Sequence, residues 1–142
     1  MILTSQQIVD KWVSLSDSWF NPTPEQDQEI SDIFLTSWKF YQTQDKSPPS
    51  LDYFLAQTIL HDQVVRHLVR TKDVDSELMT DSLKHALSVA NKARSHSGFS
   101  ELPSSRKIWT IMPLRHTEKI ENIQTAINYL LAWTQKDGWD SL

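Results

Sequence analysis

The chain has 142 residues, a formal net charge of -4, 39% hydrophobic and 23% charged residues, and no cysteine. That length fits one domain spanning residues 1–142 with a sizeable core, since a chain near 150 residues buries about 68–70% of its unfolded surface. Disulfides, thiolate metal centres and cysteine nucleophiles are excluded, and the acidic balance speaks against a nucleic-acid partner, whose phosphates reward basic patches.

Thr4 opens the first helix. Gln7 completes a Thr-x-x-Gln capping box, and Ile8, Trp12 and Leu15 form an apolar stripe. Asn21-Pro22-Thr23-Pro24 is a break, with Thr23 as the next N-cap and Pro24 at the first helical position. Ile30, Ile33, Phe34, Trp38 and Tyr41 then recur at helical spacing, which predicts a second helix to about residue 43. Lys46-Ser47-Pro48-Pro49-Ser50 reads as a loop.

From Ser50 onward, apolar residues from Leu51 to Val69 cover more than half of a helix circumference, the pattern of a central helix. Thr71 to Ser76 is a polar turn. Met79, Leu83, Ala86, Leu87, Ala90 and Ala93 make the next stripe, with Gly98 as its C-terminal stop. Pro103 starts a short helix that carries Ile108, Trp109 and Ile111, and Pro113 ends it. The last helix is expected from near Thr117 to Gly138. The chain therefore reads as all-α, with about six helices, no strand, and sequential helices packed as antiparallel pairs.

The N-terminus carries no basic region followed by an apolar run, and no stretch approaches 18 apolar residues. No membrane partner is expected, and with cysteine absent the expected location is cytoplasmic.

Two polar stretches interrupt the apolar pattern, His61-Asp62-Gln63-Val64-Val65-Arg66 and Met112-Pro113-Leu114-Arg115-His116-Thr117-Glu118. Buried polar groups need partners, so these residues form either an internal clamp or the lining of a site. Asp62 and Arg66 are four apart and share a helix face, with Gln63 beside them. His116 and Glu118 are placed at the start of the last helix, where the free N–H groups favour a carboxylate. Where that helix end packs against the third helix, Arg66 is expected to pair with Glu118 while Asp62 accepts from His116 or a backbone donor. Two readings stay open: a network that fixes helix register, or an acid/base or anion-binding pocket with Arg66 as clamp and His116 as the titrating group.

Other chemistries lack their residues. His61-Asp62 has no earlier histidine to complete a metal set, and His116-x-Glu118 has no Pro-Cys-x-x-Cys. Phosphate-binding Gly-rich loops and Gly-x-Ser-x-Gly elbows are missing. No metal and no cofactor are expected. His67, His85 and His96 read as isolated, and Trp12, Trp19, Trp38, Trp109 and Trp133 read as core.

Leu55-Ala56-Gln57-Thr58-Ile59-Leu60-His61-Asp62-Gln63-Val64-Val65-Arg66 resembles a Leu-Ala-x-x-Ile-Leu-x-Asp-Gln-x-x-Arg signature. The stretch from Met112 to Glu118, followed by Gln124, resembles a Met/Leu-Pro-x-x-His-Ser/Thr-Glu…Gln signature. Trp12, the Trp19-Phe20 pair and Asp27 complete a resemblance, over roughly residues 8–133, to the largely bacterial "domain of unknown function 924" family. The resemblance implies a tetratricopeptide-like helical fold and no assigned activity. This chain departs from it at Val64-Val65 and at His67, where an Asn is usual, and is trimmed around Thr71 to Ser76. The first expectation for function is a protein-interaction or scaffold module, in which paired helices accept a protein or peptide in their grooves. The alternative is a small-molecule-binding protein or enzyme that uses Asp62, Gln63, Arg66, His116 and Glu118.

Overall fold

The computed structural model describes residues 1–43 and 50–137, and all regular structure among them is helical. The helix α1 (Ser5–Ser14) starts with the expected box: the Thr4 hydroxyl accepts from the Gln7 N–H, and the Gln7 side chain accepts from the Thr4 N–H. Thr23 and Gln26 repeat this arrangement ahead of α2 (Pro24–Thr43).

The predicted central helix is one rod built in three parts. α3 (Leu51–Thr58) passes into a π-helical stretch, Ile59–Val64, which passes into α4 (Val65–Arg70). All six residues of the π-helical stretch are buried, and it contains His61, Asp62 and Gln63. π-Helical turns are rare and are frequently found at functional sites. Packing surrounds the rod with α1, α2 and α5 (Met79–Arg94).

Three sets of hydrogen bonds fix the directions of these helices. The Leu3 N–H donates to Ser37 at 2.8 Å while Gln26 donates to the Asp17 carbonyl, so α1 and α2 are antiparallel. Asp27 meets His67 and Gln42 meets His61, so α2 and the rod are antiparallel. His61 meets Ser82 and Gln57 meets His85, which sets α5 antiparallel to the rod.

Trp12 lies at the centre of the core, fully buried, with ring centroids 5.6 Å from Trp109, 5.8 Å from His67 and 6.1 Å from Trp19. Burying an aromatic of that size is worth several kcal/mol through area alone. Trp38, Trp109 and Trp133 are also buried and Trp19 is half-buried, as expected of core aromatics.

Three boundaries differ from expectation. The helix α5 ends at Arg94 with Ser95 as its cap, and Gly98 has φ -85°, so no left-handed glycine stops it. Pro113 does not end a helix. It sits in the first turn of α7 (Met112–His116), where the missing N–H costs nothing, and the short helix begun at Pro103 is α6 (Ser104–Lys107) followed by a 3-10 turn. The last helix, α8 (Ile120–Asp137), begins three residues later than expected, because Glu118 takes φ 60° and breaks the path. The loop read at Lys46–Pro49 and the stop at Gly138 lie outside the described residues.

Among the described residues no helix is long and apolar enough to cross a membrane.

Candidate functional site

The two polar stretches meet. Asp62 projects from the π-helical stretch with its side chain fully buried, and its Oδ1 lies 2.8 Å from His116 Nδ1 at the end of α7. The other oxygen accepts from Gln63 Nε2 at 2.7 Å. Arg66 approaches Oδ1 at 3.7 Å and donates through Nε to the Asp62 carbonyl at 2.9 Å. The buried carboxylate is therefore satisfied on both oxygens. It also fixes the histidine: with Nδ1 held by Asp62, Nε2 is the ring nitrogen left for a ligand.

A second couple of the same kind stands close by. His67 is 2% exposed, and its Nδ1 lies 2.7 Å from Asp27 Oδ1. Arg70 forks onto the same carboxylate, with Nε 3.0 Å from Oδ2 and Nη2 3.0 Å from Oδ1. Burial works to raise the Asp27 carboxyl, but Arg70 and His67 outweigh it and hold it below the ordinary carboxylate value. Burial pushes the His67 imidazole below its ordinary value, against the pull of Asp27.

Both couples open onto one hollow of about 210 Å³. Gln63, Arg66, His67, Arg70, Arg115 and His116 line one part of it, and Trp19, Phe20, Asn21, Pro22 and Met112 line the rest. Among the described residues that line it, three are guanidinium-bearing, two are imidazoles and none is a carboxylate. Asp27 and Asp62 stand behind the histidines and are not in the lining. The hollow holds the volume of about seven waters, enough for a small anionic group.

Arg66 is less buried than a clamp would be, with its side chain 31% exposed. Glu118 does not join the cluster. It is exposed, and no ion pair links it to Arg66 among the described residues, since the left-handed turn carries it past the end of α7. Gln124 is exposed and bonds Asn128 along α8. Asp62, Gln63, Arg66 and His116 are thus brought together, and Glu118 is not.

Sequence reasoning missed Arg70, Arg115 and the role of His67. Arg70 follows Arg66 by four positions and His67 by three, so all three fall on one side of α4, and that spacing was the available signal. Arg115 adjoins His116 in α7 and stands within the second polar stretch, where the sequence assigns it no role. His85 and His96 are not isolated either: His85 Nε2 lies 3.2 Å from Gln57, and the Gly98 N–H donates to His96.

His61 takes no part in the hollow. It points to the opposite side of the rod, 3.1 Å from Ser82 and 3.1 Å from Gln57, with the His85 ring centroid at 4.5 Å. Burial, with His85 nearby, pushes His61 down to about 3. No group of three or more metal-ligating side chains exists among the described residues.

The model of a family described as "Bacterial protein of unknown function (DUF924)" matches residues 8–139. No curated protein and no solved structure matches the chain.

Proposed function

We propose that this chain, which belongs to the DUF924 family of bacterial proteins of unknown function, is a small-molecule-binding protein whose hollow between the rod and α7 takes an anionic ligand. One observation carries this reading: Arg66, Arg70 and Arg115 converge with two carboxylate-oriented imidazoles on a cavity wall that has no acidic group of its own. Guanidinium forks match carboxylate and phosphate oxygens, and a positive concavity concentrates anions. Asp62 and Asp27 orient their histidines as a carboxylate orients a general base. An acid/base role for His116 Nε2 toward a bound anion is the enzymatic form of the same reading. The antiparallel helix pairs support the tetratricopeptide-like arrangement that the family resemblance implies.

Isothermal titration with inorganic phosphate and with acetate tests the reading. Saturable binding that weakens about tenfold or more in Arg115→Ala supports it, since one charge-assisted contact is worth roughly 1.5–3 kcal/mol. Absence of binding by either anion to the native chain at millimolar concentration overturns it.

A protein-interaction role is the second reading. It is supported by Ile120, Ile127 and Leu131, which form one exposed apolar stripe on α8.

A further inference from the structure

We infer that the anion this protein binds carries an aliphatic chain, and that the chain lies in a groove between α7 and α8. The inference rests on the anion-binding reading above and narrows its ligand class.

A second concavity, of about 330 Å³, adjoins the arginine-lined hollow. Ile111, Ile123, Ile127 and Leu130 are among its walls, and Arg115 is the one charged residue among the described residues that line it. It shares Met112 and Arg115 with the hollow. The two cavities therefore meet across one guanidinium and one thioether. Beyond Arg115 toward the rod the surface is cationic, and beyond it toward α8 the surface is apolar.

A wall so divided suits one class of ligand, an acidic head group on a hydrocarbon tail. The head satisfies Arg115 together with Arg66 and Arg70, while the tail removes Ile127 from water. Ile127 is 44% exposed, a cost that a peptide-free apolar occupant relieves. Met112 at the junction is an unbranched, adaptable side chain suited to a flexible alkyl group. The arginine-lined hollow alone is smaller than the usual small-molecule site, and together with the apolar groove it falls within that range. A peptide helix would cover the α8 stripe but leave Arg115, which no ion pair engages among the described residues, without a counter-charge, so the sharing of Arg115 by the two cavities favours the amphipathic anion.

The test compares acetate with octanoate, and inorganic phosphate with octyl phosphate, by isothermal titration on the full chain. Each methylene that reaches the groove is expected to tighten binding about fourfold. Octanoate should therefore bind at least about a hundredfold tighter than acetate, and octyl phosphate should gain similarly over phosphate. Ile127→Asp should erase the gain, and Ile127→Ala, a milder change at an exposed position, should erase part of it. If phosphate and acetate bind but the alkyl forms gain nothing, or the gain survives Ile127→Asp, the tail groove is wrong and the anion pocket stands. A dimer that Ile127→Asp dissociates, with no chain-length effect, assigns the groove to a second copy and overturns the inference. If none of the four ligands binds, the anion pocket itself is wrong.

Discussion

Asp62 Oδ1 and His116 Nδ1 stand 2.8 Å apart, joining positions separated by 54 residues in the sequence. The contact ties the middle of the central rod to the end of α7. It also gives one carboxylate two tasks, since the same group that orients the histidine receives Gln63 and Arg66.

Replacing Asp62 by Ala removes the acceptor of both the Gln63 amide and the His116 ring nitrogen. A loss of about 3 kcal/mol is expected, from two unsatisfied groups at roughly 1–3 kcal/mol each. Urea denaturation followed by circular dichroism measures it. A midpoint equal to that of the native chain contradicts the structural role.

Arg66→Ala separates a clamp from a ligand contact. The Arg66 head group is partly in water, and Asp62 keeps two other partners when it is removed. The expected cost to stability is about 1.5 kcal/mol, one charge-assisted bond, with anion affinity falling about tenfold. A loss above about 4 kcal/mol would mark Arg66 as an internal clamp instead.

Acidification should weaken the fold below neutral pH. His61 is neutral in the fold and titrates at about 3, against an ordinary value of 6.5. Above pH 6.5 both folded and unfolded chains leave this ring uncharged, so it makes no difference. As the pH falls below 6.5 the unfolded chain takes up a proton that the fold refuses, and stability drops by roughly 1.4 kcal/mol per pH unit down to about pH 3. His67, also lowered by burial, adds in the same direction. Comparing urea midpoints at pH 7.5 and pH 5 checks the slope, and His61→Gln should flatten it.

Glu118 holds a left-handed backbone with φ 60°. Glycine adopts that conformation without the Cβ penalty of about 1 kcal/mol, offset in part by its greater freedom in the unfolded chain. Glu118→Gly is therefore expected to stabilise by about 0.5 kcal/mol, whereas Glu118→Val should destabilise by about 1 kcal/mol. A valine variant as stable as the native chain would show that the turn relaxes.

The long helices were legible because each had both a start signal and a stripe. Thr4 with Gln7, and Thr23 with Pro24, mark α1 and α2 as they stand. The apolar circumference of Leu51 to Val69 announced the rod. The region from Pro103 to Ile120 was not legible in detail, because proline serves equally at a helix's end and in its first turn, and only the tertiary path decides which. The site was half legible. Asp62, Gln63, Arg66 and His116 stood out as polar residues among apolar ones. Arg70 and Arg115 did not, because a surface-facing arginine looks the same whether it faces bulk water or a concavity. Asp27 surfaced through family resemblance alone, since its partner His67 lies 40 positions away.

The π-helical stretch has a consequence for how the rod tolerates length change. A π turn closes i→i+5 hydrogen bonds where an α turn closes i→i+4, so it carries about one extra residue per turn. Deleting one residue between Ile59 and Val64 would therefore return the stretch to ordinary winding with α3 and α4 near their present phase, and His67 and Arg70 would keep Asp27. Asp62 lies inside the stretch, so its heading toward His116 is what such a deletion would change.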